Sequence, residues 1–166
     1  RKNRYIGTVS VMNILSACMH NNLVLAFGAN PLSELPGNDF IQRKIRELLE
    51  REIAFDICYI DIDNFKPYND YCGFVMGDKV IKSIAKILVE VISSRTSKKH
   101  NVRFIGHIGG DDYILITHSD ESIEICEEVI SRFEKCRKLY HEQEDIKRGY
   151  YESRNRKGEE EKFPLL

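Results

Sequence analysis

The sequence has almost no net charge and no long hydrophobic run. Its 25 Lys and Arg residues nearly balance 26 Asp and Glu residues, which gives a net charge of −1. A chain without excess positive charge lacks the electric field that attracts nucleic acids or anionic membranes, so neither is expected as a partner. No apolar stretch approaches the roughly 18 residues that a membrane-spanning helix needs, so no membrane segment is expected either.

Cysteine residues show no pairing pattern. The five cysteines include no Cys-x-x-Cys pair, and their odd number does not indicate a disulfide framework. The opening residues, RKNRYIGTVS, are not typical of a signal peptide because the apolar stretch behind them is short and interrupted. We therefore expect reduced thiols in a cytoplasmic protein, with Cys58 and Cys126 at core positions.

What the sequence does contain is the composition of a globular protein. Hydrophobic residues make up 42% and charged residues 31% of the 166 positions, which allows one domain with a proper core. Residues 1–29 are expected to be the end of another domain, with a short strand at Tyr5–Ser10 and a linker helix over about 12–27. The Gly- and Pro-rich segment Gly28–Asn38 predicts a structured turn that leads into a second domain, residues 30–166.

Alternating helical and strand patterns in the second domain predict an α+β fold. A mainly antiparallel sheet flanked by helices follows from the order of these elements. The predicted elements are a helix from Asn38 or Asp39, a strand over Ile53–Asp63, an amphipathic helix over 78–92, a hairpin of Val102–Ile108 and Tyr113–Thr117, a helix over Ser119–Tyr140, and two short strands around Asn155–Gly158. The Ile53–Asp63 strand has apolar residues on both faces, which is typical of a central strand. Because the last residues are apolar, the domain is expected to lack a further strand.

Asp61 and Asp63 end the predicted Ile53–Asp63 strand. Strand side chains alternate between faces, so both carboxylates lie on the same side. Carboxylates beyond a buried core suit a hard cation such as Mg²⁺, which keeps substrate phosphates as further ligands. The alternative is that Asp63 or Asn64 only caps the helical turn FKPYND.

The segment IGGDDY lies at the tip of the predicted hairpin. Gly109 and Gly110 permit positive φ angles and let a phosphate approach backbone N–H groups. Asp111 and Asp112 point to opposite sides, so at least one of them can face the end of the Asp61 strand. Three carboxylates near one point repel each other unless a cation lies among them. Alone, the motif is also compatible with a simple turn.

Three polar residues downstream of Asp61 complete a candidate nucleotide site. The amide of Asn69 and the carboxylate of Asp78 together can recognise the edge of guanine, and Lys66 can neutralise phosphate. Each has a simpler alternative: Asn69 and Asp78 as helix-cap or turn residues, and Lys66 as a solvated surface lysine.

Taken together, DIDNFKPYNDYCGFVMGD and GGDDY resemble the GGDEF family, the diguanylate cyclases. Residues NPLSELPGN resemble the entry motif of the family, with Asn30 and Ser33 in place of Asp and Thr. The resemblance runs from about Asn30 to the last residue and implies a ferredoxin-like, nucleotidyl-cyclase-like fold without its last strand and helix. Residues YIGTVSVMNIL resemble the end of a CBS domain, and the whole chain is most similar to the C-terminal part of EAL–CBS–GGDEF proteins.

The resemblance implies that two GTP molecules condense to cyclic di-GMP with release of pyrophosphate, and that two domains meet as a homodimer because each holds one GTP. It assigns residues to three tasks. The residues that would bind Mg²⁺ or Mn²⁺ are Asp61, Ile62 through its carbonyl, Asp111 and Asp112. The residues that would bind GTP are Asn64, Phe65, Lys66, Asn69, Asp78, Gly109 and Gly110. Catalysis would depend on Asp111 and Asp112. Such a division fits phosphoryl transfer, in which positioning and charge neutralisation dominate.

Several positions depart from the family pattern. Asp112 replaces the usual Glu and is one methylene shorter, Tyr113 replaces Phe, His107 replaces Arg, and Phe74 replaces His in a Gly-His pair. The Arg-x-x-Asp product site is missing, since the aligned residues 100–103 read His-Asn-Val-Arg. No product inhibition through that site is therefore expected. The basic residues of the final helix are missing as well. Two functions therefore remain: an active cyclase, although this chain is expected to be inactive alone, or a degenerate GTP-binding domain that regulates an attached EAL phosphodiesterase.

Overall fold

The computed structural model describes residues 10–13, 28–95, 102–155 and 157–166. The predicted strand at Tyr5–Ser10 and nearly all of the helix predicted over 12–27 lie outside this part of the chain, although residues 11–13 are helical. Cys18 also lies outside it, and the other four cysteines are free thiols.

The helices and strands alternate much as the sequence pattern predicts. From residue 28 onward, the helices of the described ranges are α1 (Asn38–Glu50), α2 (Phe65–Cys72), α3 (Phe74–Ser94), α4 (Ser122–Cys136) and α5 (Gln143–Arg148), with a 3₁₀ turn at Arg137–Tyr140 after α4. The strands of these ranges are β1 (Asp56–Ile60), β2 (Arg103–Gly109), β3 (Asp112–Thr117), β4 (Tyr150–Arg154) and β5 (Glu160–Pro164). The helix predicted over Ser119–Tyr140 is thus divided into α4 and a tighter turn.

A three-stranded antiparallel sheet lies at the centre of the fold, in the order β1–β3–β2. The central strand is β3, which is buried from Tyr113 to Thr117. The prediction of a central β1 over Ile53–Asp63 was wrong, because β1 is five residues long and lies at the edge of the sheet in the described part of the chain. Its residues Ile57 and Tyr59 are 48% and 60% exposed, since α1 covers β2 and β3 instead.

Helices cover both faces of this sheet. On one face, Ile41 and Leu48 of α1 pack against Ile114 and Ile116 of β3. On the other face, α3 and α4 form the larger core, in which Leu88 and Ile125 lie over Leu115. The alternation of side chains along β3 sends successive residues to opposite cores. This arrangement confirms the predicted α+β class with an antiparallel sheet flanked by helices.

The predicted pair of strands around Asn155–Gly158 is confirmed as the β4–β5 hairpin, which is separate from the central sheet. Tyr151 of β4 is fully buried and stacks on Phe163 of β5, with 5.8 Å between ring centroids. On its other side, Tyr151 contacts Tyr68 and Tyr71 of α2. The hairpin is therefore packed against α2. Among the described residues, no helix is long and apolar enough to cross a membrane.

Candidate functional site

The end of β1 and the β2–β3 turn bring acidic side chains together. Residue Ile60 pairs with Tyr113, so the next residue, Asp61, emerges beside Asp112 at the start of β3. Burial raises the pKa of Asp61, and the nearby charge of Asp111 and a hydrogen bond with Asp112 raise it further. The Tyr59 hydroxyl also bonds to Asp112, which raises the pKa of the tyrosine. The structure therefore places Asp61 next to both acids of the turn, as the sequence predicts.

The turn conformation depends on Gly110, whose φ of +59° is in the left-handed region. Asp111 follows it and accepts hydrogen bonds from its own N–H and from that of Ile62. Burial nevertheless raises the pKa of Asp111, and the charge of Asp112 acts in the same direction. A carboxylate that is partly desolvated and fixed by backbone donors suits a metal ligand or a proton acceptor.

The donor set fits a magnesium ion held partly by substrate. No three His, Cys, Asp or Glu side chains converge into a complete metal cage in the ranges that the structure describes. Mg²⁺ is commonly held by one or two carboxylates, with water and phosphate oxygens as its other ligands. Asp61 and Asp111 supply such carboxylates. The Ile62 side chain is buried. The Ile62 carbonyl accepts the Phe65 N–H at 3.1 Å, so only its second lone pair is available to bind a metal ion.

The first turn of α2 follows directly. Asn64 has a φ of +60°, and neither Asp63 nor Asn64 makes a side-chain hydrogen bond that caps α2, so the capping alternative is not supported. The Phe65 side chain is buried in the larger core, which leaves only its backbone for phosphate contacts. The side chain of Lys66 is exposed to solvent.

A cavity of about 470 Å³ lies beside these residues and has a volume typical of small-molecule sites. Its lining includes Asp61, Ile62, Asn64, Phe65, Lys66 and Asp111. The other predicted ligand residues, Gly109, Gly110, Asp112, Asn69 and Asp78, lie outside this lining. One cavity thus unites the predicted metal and phosphate residues, but not the whole predicted set.

The predicted guanine-binding residues lie where α2 and α3 meet. The Asn69 Oδ1 atom is buried and has no hydrogen-bond partner in the described part of the chain. It lies against Gly77, where a Cβ atom would overlap it, and Asp78 is the next residue. Buried amide oxygens are normally hydrogen-bonded, so an unpartnered one is compatible with a ligand donor. The structure thus places Asn69 against the residue that precedes Asp78.

His107 has a positioning role that the sequence did not indicate. Its buried ring stacks on Tyr113 at 4.3 Å, its Nε2 lies 3.0 Å from the Gly110 carbonyl, and its Nδ1 lies 2.6 Å from Ser33 Oγ. Burial lowers the pKa of His107, which favours the neutral ring. A neutral ring donates from Nε2 to the carbonyl and accepts the Ser33 hydroxyl proton at Nδ1. His107 thus connects the Asn30–Leu35 loop to the turn that carries Asp111.

Residues of the β4–β5 hairpin also line the cavity, and sequence reasoning missed them. The hairpin residues in the lining include Arg154, Asn155, Lys157 and Glu161. The available signal was a basic segment at the tip of a predicted hairpin, but nothing local to that segment indicates that the hairpin packs against α2.

Comparisons with the sequences of known proteins find relatives among diguanylate cyclases and signaling proteins. A diguanylate cyclase of Vibrio cholerae serotype O1 is 36% identical over 77 residues, which are 45% of this chain and 22% of that protein. Signaling protein YkoW of Bacillus subtilis is 26% identical over 117 residues, 65% of this chain and 14% of that protein. This chain therefore spans less than a quarter of the length of either relative.

Solved structures share the fold. The coiled coil and GGDEF domain of DgcB from Caulobacter crescentus, in complex with c-di-GMP, aligns with a TM-score of 0.55 at 23% identity, covering 71% of this chain and 62% of that one. The S helix-GGDEF-EAL structure of Vibrio cholerae LapD aligns with a TM-score of 0.61 at 17% identity, covering 74% and 29%. A family model described as "Diguanylate cyclase, GGDEF domain" matches residues 29–160, most of the sequence. The chain therefore belongs to the diguanylate cyclase GGDEF-domain family.

Proposed function

We propose that this domain binds GTP with Mg²⁺ or Mn²⁺ and that two such domains condense two GTP molecules to cyclic di-GMP. The observation that carries the proposal is the placement of Asp61, Asp111 and Lys66 around one cavity. Two carboxylates for a divalent cation and a lysine for phosphate are the groups that nucleotide condensation needs in one place.

Each residue then has a defined task. Asp61, Asp111 and the Ile62 carbonyl hold the divalent cation, which when bound neutralises charge on the phosphates. Asp111 is also the residue to which the family resemblance assigns acceptance of the proton of the attacking 3′-hydroxyl. Asp112 is held beside Tyr59 and Asp61, where it acts on the electrostatics of the site and supplies a further metal ligand if its side chain turns.

The nucleotide lies between two groups of contacts. Lys66 and the backbone of Asn64 and Phe65 bind the phosphates, and the turn glycines at 109 and 110 let the phosphates approach the backbone. Asn69 and Asp78 bind guanine: the amide oxygen of Asn69 is buried without a partner, which supports this assignment.

A regulatory GTP-binding domain is the second candidate. Asp112 lies outside the cavity lining and is one methylene shorter than the Glu usual in the family, which favours binding without efficient catalysis. One relative, 21% identical, is a cyclic di-GMP phosphodiesterase, PdeB of Shewanella oneidensis. In this alternative the domain binds GTP and controls an attached EAL phosphodiesterase in the cytoplasm. The division into a CBS-like end at residues 1–29 and a GGDEF domain from residue 30 belongs to both proposals and is supported by sequence resemblance alone.

The decisive experiment supplies the chain with GTP and Mg²⁺ and measures cyclic di-GMP by chromatography. Substitution Asp111→Ala is expected to reduce product formation by at least about 100-fold, the usual contribution of a positioned acid or base. The matched control is Asp70→Ala, which removes an exposed carboxylate of α2 and should leave the rate unchanged. GTP binding without product would favour the regulatory function. Absence of GTP binding would contradict both.

A further inference from the structure

The β4–β5 hairpin contributes two cationic residues to the cavity lining. Arg154 is the last residue of β4, and Lys157 lies in the turn that follows. Both line the same cavity as Asp61 and Asp111. Neither forms an ion pair or a side-chain hydrogen bond with another residue of the described ranges. Two cations without a salt-bridge partner in those ranges therefore line a cavity that two carboxylates line as well.

The position of the hairpin is fixed by hydrogen bonds to the segment that precedes and begins α2. The Tyr151 hydroxyl donates to the Asn64 carbonyl at 3.3 Å, and the Ser153 hydroxyl donates to the Pro67 carbonyl at 2.9 Å. These bonds lie on either side of Lys66. Because Arg154 directly follows Ser153, its backbone is held next to the predicted phosphate-binding residues.

The turn that carries Lys157 is ordered by its own side chains. The Asn155 Oδ1 atom accepts the Lys157 N–H at 2.9 Å and the Glu159 N–H at 3.0 Å, while its Nδ2 donates to the Glu159 carboxylate. These bonds link Asn155 to the backbone of Lys157 and Glu159. They hold Lys157 near the end of β4, where it lines the cavity.

The charges in the cavity are arranged for a triphosphate that carries a divalent cation. Two carboxylates, Asp61 and Asp111, and three cationic residues, Lys66, Arg154 and Lys157, line it together. A nucleoside triphosphate keeps negative charge after one divalent cation is bound, so its outer phosphate oxygens need further cations. Glu161 is the only acidic residue that the described part of the hairpin adds to the lining.

We propose that Arg154 and Lys157 bind the β- and γ-phosphates of the nucleotide, so that the β4–β5 hairpin is a phosphate-binding arm of the site. This inference rests on the proposed GTP binding. It adds that the hairpin makes the site specific for the number of phosphates, so that a triphosphate is distinguished from a monophosphate. Arg154 offers a planar fork of donors for two phosphate oxygens, and Lys157 adds a point charge.

The test measures affinities for Mg²⁺–GTP and for GMP by calorimetry in the double variant R154A/K157A. Loss of two charge-assisted contacts should weaken GTP binding by about tenfold or more and leave GMP binding as in the unaltered chain. The opposite change is expected for Glu161→Gln, which removes a competing carboxylate and should tighten GTP binding about two- to threefold. Both GTP effects should diminish at high salt, since exposed charges are screened.

The matched control is Lys162→Ala on the same hairpin. Lys162 pairs with Glu152 across the strands and is not among the residues that line the cavity. Its removal should not change GTP affinity. Unchanged GTP affinity in R154A/K157A would overturn the inference and leave the proposed function standing, whereas an equal loss of GTP and GMP binding would show that the arm only supports the fold. If the unaltered chain binds no GTP, the proposed function and this inference are both wrong.

Discussion

At the scale of single residues, the site combines groups that oppose one another electrostatically. Asp61 lies beside Asp111 and Asp112, and burial together with the charge of Asp111 raises its pKa. Such repulsion destabilises the folded chain, and a cation bound among the carboxylates, as the proposed function requires, would relieve it. Their proximity follows from the β1–β3 register, which places Ile60 opposite Tyr113.

A second residue, His141, makes the stability of the fold depend on pH. Its Nε2 accepts the Leu166 N–H at 3.1 Å, and its ring lies against Tyr68 and Tyr151. Burial lowers the pKa of His141 below 6.5, while the Asp145 carboxylate acts in the opposite direction. A proton added at Nε2 would break the bond to Leu166, so the neutral ring belongs to the folded state.

We therefore expect the free energy of unfolding to decrease as pH falls below 6.5, since the unfolded chain binds the proton more readily. The stabilisation is complete above pH 6.5 and is lost as pH falls towards the depressed pKa. Substitution His141→Gln keeps an acceptor for the Leu166 N–H but does not titrate. It should remove about half of the pH dependence of the unfolding free energy, because the other buried histidine, His107, contributes the other half. Urea unfolding at several pH values measures both slopes, and equal slopes would contradict the assignment.

At the scale of helices and strands, local sequence signals predicted most of the fold. Strand alternation on both sides of Gly109-Gly110 predicted β2 and β3, and the amphipathic stripe of α3 predicted that helix. The position of β1 could not be predicted in this way. Its apolar residues indicate a strand, but whether a strand is central depends on pairing with β3, more than 50 positions away in the sequence.

The candidate site was predictable to a similar extent. Motif spacing identified Asp61 and Asp111, because each lies at the end or turn of an element with a clear local pattern. The position of His107 beside the turn and that of Arg154 in the cavity lining were missed because both come from long-range packing. His107 contacts Ser33 across 74 positions, and β4 contacts α2 through Tyr151 and Asn64 across 87 positions.

The contact between α2 and α3 gives a prediction for guanine binding. Gly77 leaves room for the Asn69 Oδ1 atom, so Gly77→Ala would force the amide aside. Alanine favours a helix over glycine by about 1 kcal/mol, which offsets part of the steric strain and should keep the chain folded. We expect GTP affinity to fall about tenfold through loss of guanine contacts, with a melting temperature close to that of the unaltered chain.

Calorimetry with GTP and circular dichroism melting measure these two quantities. The control for helix effects is Lys86→Ala, an exposed position of α3 whose only ion pair in the described ranges is a 3.8 Å surface contact with Glu90. That variant should bind GTP normally. Normal GTP affinity in the Gly77 variant would show that Asn69 does not take part in base recognition.

At the scale of the whole molecule, the proposed condensation would require more than one chain. It needs two 3′-hydroxyls and two α-phosphates in reach of each other. In the described part of the chain, one cavity combines Asp61 and Asp111 with cationic residues. Under the proposed function, a single chain would therefore present one triphosphate site, and the second would come from another copy, as in the homodimer that the family resemblance implies.

The dependence of activity on concentration tests this requirement. If two copies supply the two sites, cyclic di-GMP formed per chain should rise with chain concentration and level off when dimers predominate, because dimerisation follows mass action. GTP bound per chain should meanwhile stay at one, since each site is built within one copy. Product assays and light scattering over a dilution series measure both quantities. A constant rate per chain in samples that are monomeric by light scattering would contradict the two-copy mechanism, whereas GTP binding without product at every concentration would favour the regulatory function.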